Sequence, residues 1–272
     1  MDRCRSTASA ICLAAMVAVS GQSIAFAAPA PIDDFNGVPE RTALTFEYAP
    51  GGILIGTTNQ HDSRPGLSTV KLYMADYALR RGDGSPSDRA LAERMIRYSD
   101  DTAASELDAK YPGAIDAVAA EFGLADTRRS SFWGDSYTST ADTVAFLMAK
   151  RADPLSPIPV WMSTASPTAA DGTVQDWGTA RLPGVVGTKW GWSDQGGSPV
   201  VASASFGPDF TIAANTYGSP EDHTADVLGA FTPGPGPLIP EHLIPDIPGL
   251  DDETRQALVD DLNEGLANTL PE

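Results

Sequence analysis

The chain has 272 residues, of which 42% are hydrophobic, enough for one domain of ordinary size with appendages or for two small ones. Its formal net charge is −18 at pH 7; residues 1–27 contribute +1, so the remaining residues carry −19. A chain this acidic is repelled by nucleic-acid backbones and by anionic lipid, which argues against both as partners.

The N-terminus has the three parts of a secretory signal peptide. Arg3 and Arg5 precede an apolar run over about 8–19, and Ala25-Phe26-Ala27 supplies a small-residue cleavage site. The run is too short to span a bilayer comfortably, and no later segment is long enough. The alternative is a buried N-terminal helix. We expect cleavage near Ala27 and a mature protein that works outside the cytoplasm without a membrane span.

Cysteine and histidine give no support to a metal or cofactor site. Both cysteines, Cys4 and Cys12, lie within 1–27, so the mature chain would have neither disulfides nor thiolate chemistry. His61, His223 and His242 are scattered without the spacing of metal ligands, and we expect surface or loop positions for them. We expect no cofactor.

Residues 28–231 are predicted to form one domain with strands near its two ends and helices between them. "TALTFEY" at 42–48 alternates apolar and polar residues like a half-buried strand, and "GGILIG" at 51–56 completes a hairpin. Helices are predicted over 68–81, 87–98, 102–111, 112–122 and 140–150, followed by the strands "GVVGTKW", "VVASASF" and "FTIAANTY" and a helix over 220–231. This order predicts an α/β (α+β) fold in which both chain ends form one antiparallel sheet flanked by helices.

The composition changes at Thr232. The stretch "TPGPGPLIPEHLIPDIPG" has a proline every few residues, which excludes a packed helix or a central strand. An acidic segment with helix-spaced leucines follows, and residues 232–272 hold nine acidic residues against the single Arg255. We interpret 232–272 as a proline-rich linker and acidic tail, which serves either as a solvated spacer or as a docking helix for a protein partner.

Ser68 and Lys71 are the first candidates for catalysis. They stand three residues apart in a predicted helix, so their side chains lie on one face. A buried lysine loses its proton readily and can accept one from a serine hydroxyl, and free N–H groups at a helix start favour developing negative charge. The same spacing also occurs when two polar residues merely point to solvent.

Two later stretches add polar residues in a recognisable order. "MIRYSDDTAASEL" contains Ser99, Asp100 and Asp101, and "GVVGTKWGWSD" contains Lys189 and Gly191. After the S-x-x-K motif at 68–71, they stand in the order of an S-D-N-like and a K-T-G-like motif. Over about 42–231 the chain therefore resembles class A β-lactamases and D-alanyl-D-alanine peptidases. The resemblance implies a β-lactamase/transpeptidase-like fold and serine acyl-transfer chemistry.

The resemblance also implies a role for each motif residue. Ser68 would be the acylated nucleophile, Lys71 would take its proton, and Ser99 would relay a proton to the leaving group. Lys189 would supply positive charge near Ser99 and the substrate carboxylate. The backbone N–H groups of Ser68 and Trp192 would form the oxyanion hole.

Two motif positions depart from the family pattern. Asp101 stands where the family has Asn, and a carboxylate there could pair with Lys71 and hold it protonated. Trp190 stands where the family has Thr or Ser, whose hydroxyl is aimed at the substrate carboxylate. The family pattern predicts that the Trp190 ring faces the site. Asp101, Trp190 and Gly191 are therefore the candidate substrate-binding residues.

The spacing departs as well. Only 31 positions separate Ser68 from Ser99, which predicts a reduced all-helical subdomain. No E-x-x-L-N stretch, whose glutamate directs the deacylating water in the family's β-lactamases, lies between the second and third motifs. "SFWGDSYTSTAD" occupies that place, and its Asp135 is either a deacylation base or a loop aspartate.

These observations leave three functions open. The first is a secreted serine acyl-transfer hydrolase of the β-lactamase/D,D-peptidase type, acting through Ser68 on a small-molecule or peptidoglycan-derived amide or ester in the cell envelope. The second is a true class A-like β-lactamase, against which the missing glutamate argues. The third is a catalytically impaired pseudoenzyme that binds cell-wall peptide or a protein, which Asp101 and Trp190 favour.

Overall fold

The structure, a computed structural model, describes residues 28–193 and 199–232. The predicted signal peptide at 1–27, the tail at 233–272 and the glycine-rich segment 194–198 lie outside the described residues. Among the described residues, no helix is both long and apolar enough to cross a membrane.

Both ends of the described chain contribute strands to one antiparallel sheet. The strands are β1 (Thr42–Tyr48), β2 (Ile53–Gly56), β3 (Arg64–Pro65), β4 (Tyr137–Thr138), β5 (Gly187–Trp192), β6 (Val200–Phe206) and β7 (Phe210–Tyr217). Five of them pair in the order β2-β1-β7-β6-β5, while β3 and β4 pair with each other. The N-terminal hairpin therefore lies against the last strand, and the predicted α/β fold with its antiparallel sheet is confirmed.

Helices occupy the middle of the chain and follow the last strand. They are α1 (Lys71–Arg81), α2 (Pro86–Arg97), α3 (Asp101–Lys110), α4 (Ala114–Phe122), α5 (Thr140–Ala152), α6 (Ile158–Ser163) and α7 (Pro220–Gly229). Side-chain oxygens of Ser85, Asp100, Ser139 and Ser219 accept backbone N–H groups at the starts of α2, α3, α5 and α7. The sequence did not predict α6, since it is short and begins between Pro157 and Pro159.

Helices cover both faces of the sheet. On one face, Tyr73, Phe146 and other apolar residues of the central helices pack in one cluster with Ala204 and Ala213 of the sheet. On the other face, Phe46 of β1 packs with Val227 of α7 and neighbouring apolar residues. The sheet therefore lies in the centre of the domain, and a side chain at the exposed edge of β5 can reach the helices beside it.

β1 is not the half-buried strand that its alternation predicts. Its first six residues are all buried, because helices pack on both faces. Thr42 donates to the Asp226 carboxylate of α7 at 2.6 Å, and the Thr45 hydroxyl lies 2.8 Å from that of Thr140 in α5. The polar residues of β1 thus form hydrogen bonds with a second buried layer instead of water.

The predicted surface or loop position is wrong for His223. The side chain lies on α7 and is fully buried, with Nε2 2.7 Å from Ser203 Oγ and Nδ1 2.6 Å from Thr216 Oγ1. Burial lowers its pKa to about 3, against a smaller opposing effect of Asp226. His61 is exposed, as expected, and His242 lies outside the described residues.

Candidate active site

Ser68 and Lys71 meet where a turn enters α1. Ser68 lies in the 3-10 turn Leu67–Val70, and Lys71 is the first residue of the helix that follows. Both side chains are buried, and Lys71 Nζ lies 2.8 Å from Ser68 Oγ. The structure therefore excludes the alternative in which the two side chains point to solvent.

Ser99 lies between α2 and α3 and completes this group from the other side. Its backbone adopts the left-handed region, with φ of 51°, which is uncommon for a residue with a side chain. In this conformation its carbonyl accepts a hydrogen bond from Lys71 Nζ at 2.6 Å, and its Oγ lies 3.4 Å from the same amine. The turn therefore brings both polar atoms of Ser99 to Lys71.

The two aspartates after Ser99 do different things. Asp100 is the N-cap of α3, where it accepts the Ala103 N–H at 3.0 Å, and it also pairs with Arg94. Asp101 begins α3, and its exposed carboxylate accepts a hydrogen bond from the fully buried Lys71. The ion pair that the sequence suggests between Asp101 and Lys71 is therefore present.

β5 is the edge strand that borders Ser68. Among the described residues its partner in the sheet is β6 alone, so its outer edge is unpaired. A Cβ atom added to Gly191 would lie 2.8 Å from the backbone nitrogen of Ser68, a distance that real Cβ atoms do not adopt. Gly191 is thus the residue that allows β5 to approach the nucleophile.

The backbone of β5 directs an N–H group to the same place. The Ser193 N–H donates to Val200 of β6 at 3.0 Å, and N–H groups alternate in direction along an antiparallel strand. The Trp192 N–H therefore points away from β6, toward the edge where the Ser68 N–H lies. Two such donors are the arrangement that an oxyanion hole requires.

Lys189 reaches the site from the same strand. Its Nζ donates to Ser99 Oγ at 2.8 Å and to the Trp190 carbonyl at 3.0 Å. Complete burial, and next the neighbouring Lys71, hold the pKa of Lys189 well below its usual range, against a smaller opposing effect of Asp101. Burial therefore opposes the positive charge that the resemblance assigns to Lys189.

Trp190 does not line the cavity beside Ser68 among the described residues. Its ring is buried with Trp177 and Val201, and its indole N–H donates to the Trp177 carbonyl at 3.0 Å. The expectation that this ring faces the site is therefore not met. Successive side chains of a strand point to opposite faces, so Trp190 points away from the face of Lys189 and Gly191.

A cavity of about 480 Å³ opens beside Ser68. Asp101 and Trp192 line it, as do five residues of the 132–137 loop: Phe132, Trp133, Gly134, Asp135 and Tyr137. The Trp133 ring centroid lies 4.7 Å from Lys71 Nζ, which places an aromatic face over the buried amine. This volume is suited to a small molecule or a short segment of a larger one.

The sequence motifs do not identify the aromatic residues of this loop. The stretch "SFWGDSYT" occupies the place of the family's missing glutamate, and Asp135 is the residue that the sequence suggests there. Asp135 is exposed and does line the cavity. Phe132 and Trp133 were not assigned to the site, although two adjacent aromatics in a Gly- and Ser-containing loop were a usable signal. Their placement depends on the pairing of β4 with β3, two-residue strands that leave almost no trace in the sequence.

Comparison with known proteins establishes the fold. No protein-family model matches the chain, and no curated protein sequence matches it. Among solved structures, an ancestral class A β-lactamase is 17% identical with a TM-score of 0.53, over 72% of this chain and 94% of that one. A β-lactamase from Sphaerobacter thermophilus is 18% identical with a TM-score of 0.52, over 72% of this chain and 92% of that one.

The structure of a peptidase is similar to this chain to the same degree. A D-alanyl-D-alanine carboxypeptidase from Mycobacterium tuberculosis H37Rv is 18% identical with a TM-score of 0.50, over 76% of this chain and 97% of that one. The chain therefore has the fold of class A β-lactamases and penicillin-binding-protein-like carboxypeptidases, as its motifs predict.

Proposed function

We propose that this chain is a secreted serine acyl-transfer hydrolase that forms an acyl-enzyme on Ser68. The observation that supports it best is the contact of 2.8 Å between Ser68 Oγ and the buried Lys71 amine, beside a cavity of substrate size. A serine becomes a nucleophile when a neighbouring group can take its proton. Substrates of the proposed enzyme are amides or esters, small or derived from peptidoglycan, in the cell envelope.

Acylation in this proposal moves one proton around the site. Neutral Lys71 takes the hydroxyl proton of Ser68 as Oγ bonds to the carbonyl carbon, and the carbonyl electron pair moves onto oxygen. The N–H groups of Ser68 and Trp192 bind that oxyanion. When the tetrahedral intermediate collapses, the bond to the leaving group breaks, Ser99 gives it a proton, and Lys71 returns a proton to Ser99. Water or another acceptor then cleaves the acyl ester.

One contact favours a second candidate function, a binding module without turnover. The Asp101 carboxylate accepts a hydrogen bond from Lys71, and a neighbouring carboxylate favours the ammonium form, which cannot take a proton from Ser68. In that case the cavity would bind cell-wall peptide or a protein without reaction. The acidic tail is a further candidate contact for such a protein partner.

A true β-lactamase is the narrower alternative. It needs a base for the deacylating water, and Asp135 is the acid of the 132–137 loop that lines the cavity. Asp135 is exposed, so bulk solvent surrounds its carboxylate instead of a buried site that holds one deacylating water. We therefore propose that the acyl-enzyme forms faster than water removes it when the acyl donor is a β-lactam.

Hydrolysis of an activated ester tests the proposed function. With p-nitrophenyl acetate, Ser68→Ala should lower kcat/KM by about 1000-fold, because removal of a nucleophile leaves only binding and oxyanion stabilisation. Ser130→Ala is the matched control, since Ser130 lines the same cavity without contacting Lys71 in the described structure. Equal activity of Ser68→Ala and Ser130→Ala would remove Ser68 from the mechanism.

A further inference from the structure

The lining of the cavity beside Ser68 contains acidic residues and, in the described structure, no basic residue. Asp101 and Asp135 both line it and both are exposed, and none of its lining residues in the described structure is Lys, Arg or His. An anionic substrate would meet repulsion here instead of a counter-ion.

The buried amines beneath the cavity do not cancel the charge of Asp135. The Lys71 amine is matched by Asp101, which accepts its hydrogen bond. Lys189 is completely buried, and burial with the nearby Lys71 holds its pKa well below the usual range. Asp135 forms no ion pair among the described residues. One carboxylate at the cavity thus lacks a partner.

Two arginines lie near the rim, and both are engaged elsewhere. Arg128 stacks on the Tyr137 ring at 4.2 Å and donates to the Ser63 hydroxyl. Arg129 pairs with Asp108 at 2.6 Å. Neither lines the cavity, so neither supplies a counter-ion for a bound carboxylate there.

Aromatic rings make up much of the remaining wall. The rings of Trp133 and Tyr137 already lie next to the Lys71 amine and the Arg128 guanidinium. Phe132 lines the cavity without such a cation in the described structure, and it is 45% exposed. An exposed aromatic ring beside a carboxylate is a favourable site for an ammonium group, whose charge the ring face attracts.

We propose that the substrate of this site carries a positive charge, as a primary or quaternary ammonium on the acyl group transferred to Ser68. The inference rests on the proposed function for its chemistry and on the cavity wall for its selectivity. Asp135 binds the ammonium by charge, and Phe132 contacts its alkyl or N–H surface. The same carboxylate disfavours substrates with a negative charge.

Three esters of one length test this selectivity. The p-nitrophenyl esters of 4-(trimethylammonio)butanoic acid and 5,5-dimethylhexanoic acid have the same shape and differ in charge, and the monoester of glutaric acid carries a carboxylate. Each kcat/KM is divided by the rate constant for hydrolysis of the same ester in hydroxide, which corrects for its intrinsic reactivity. The corrected kcat/KM should be about tenfold higher for the cationic ester than for the neutral one, because of one ion pair and one aromatic contact. The glutarate ester should be the slowest, and 1 M salt should reduce the preference.

Asp135→Asn should lower the cationic preference, the ratio of kcat/KM for the cationic ester to that for the neutral ester, about fivefold. Glu221→Gln is the matched control: it removes one exposed carboxylate from α7, which does not line this cavity, and should keep the preference. The inference would be overturned if the cationic and neutral esters reacted at equal rates, or if Asp135→Asn kept the preference for the cationic ester. Hydrolysis that depends on Ser68 would still support the proposed function in either case.

Binding without reaction separates the two claims. The methylamide of 4-(trimethylammonio)butanoic acid should bind Ser68→Ala protein more tightly than that of 5,5-dimethylhexanoic acid, measured by NMR titration, and the double variant with Asp135→Asn should lose the difference. If no ester reacts but this binding preference holds, the selectivity of the cavity stands and the proposed function fails. Equal binding of the two amides would overturn the inference whether or not the esters react.

Discussion

At the residue scale, the site depends on atoms that the sequence places far apart. Ser68, Lys71, Ser99 and Lys189 are recognisable from residue type and order, and the structure brings their side chains into one hydrogen-bonded group. The sequence could also suggest that Asp101 pairs with Lys71, because both positions belong to motifs. It could not show that Lys189 is completely buried, since its burial depends on helices packed against the sheet. It also misplaced Trp190, whose direction is set by the packing of Trp177.

Asp101→Asn should make the site more reactive toward an anionic β-lactam. The amide removes a negative charge beside Lys71 and beside the cavity, so the neutral amine is favoured and a substrate carboxylate is repelled less. We expect the second-order rate of acylation by benzylpenicillin to rise about tenfold, the effect of one charge interaction in partly exposed surroundings. Mass spectrometry of quenched samples measures this rate.

Glu106→Gln provides the control for that substitution. Glu106 is exposed on the same helix and does not line the cavity, so its loss changes the net charge equally. An acylation rate of Asp101→Asn at or below that of the unaltered protein would show that Asp101 does not restrain Lys71.

At the element scale, periodicity gave most of the architecture. The strands at 42–48, 200–206 and 210–217 and the helices from α1 to α5 follow from alternation, helical spacing and caps, and the strand predicted over 184–190 overlaps β5 at 187–190. The two-residue strands β3 and β4 could not be predicted, because a pair so short has no periodicity. Their pairing is nevertheless what holds the 132–137 loop beside Ser68. The prediction that β1 is half-buried was wrong. Alternation of apolar and polar residues shows which side chains are polar, whereas the burial of the polar face depends on which elements cover it.

Gly191→Ala should impair catalysis through the position of β5. The added methyl group would press on the Ser68 backbone, so either β5 or the turn that carries Ser68 must move. A displacement of about 1 Å in a catalytic group costs about 100-fold in rate, and we expect a fall in kcat/KM for p-nitrophenyl acetate of this order.

The comparison for this prediction is Gly229→Ala at the end of α7. A Cβ atom there meets nothing within 4 Å, so the variant should retain full activity. Circular dichroism should show both variants folded. Full activity in Gly191→Ala would mean that the contact between β5 and Ser68 does not set the geometry of the site.

At the scale of the whole molecule, the fold is a central sheet between two helical layers, and its stability depends on polar groups buried between them. His223 is one such group, held neutral between Ser203 and Thr216. The sequence could not reveal this, since a histidine in an amphipathic helix is compatible with either face. The change of composition to a proline-rich segment at Thr232 is a property of the sequence, and the domain boundary placed there stays a prediction.

Acid should destabilise the protein through His223. The ordinary pKa of 6.5 falls to about 3 on folding, so between these values the unfolded chain binds a proton that the folded chain does not. This contribution to stability is complete above about pH 6.5 and is lost as the pH falls toward 3. Urea unfolding should give a free energy of unfolding about 2 kcal/mol lower at pH 5 than at pH 7.

His223→Gln should abolish most of that difference between pH 5 and pH 7, whatever its effect on stability at pH 7. His61→Gln removes an exposed histidine and should preserve it. An unchanged pH dependence in His223→Gln would show that the buried histidine is not its cause.

A chain ending at Thr232 should keep the domain intact. Its last described contacts are those of Phe231 in the core beside α7 and of the Thr232 N–H, which donates to Ala30 at 2.9 Å. Removal of residues 233–272 should therefore shift the melting temperature by no more than about 2 °C, because an unaltered core keeps its free energy of unfolding. Ester hydrolysis should persist, and a loss of cooperative unfolding would show that the tail belongs to the core.

The most direct test of the account is to locate the acyl group itself. The protein is mixed with benzylpenicillin and the reaction is quenched at intervals. Mass spectrometry then gives the intact mass of each sample, and peptide mapping after digestion locates the adduct. Ser68→Ala and Ser130→Ala are treated in parallel. We predict one adduct with the full mass of the β-lactam, on the peptide containing Ser68, in the unaltered protein and in Ser130→Ala but not in Ser68→Ala. An adduct that persists in Ser68→Ala, or maps to another residue, would contradict the assignment of Ser68 as the nucleophile.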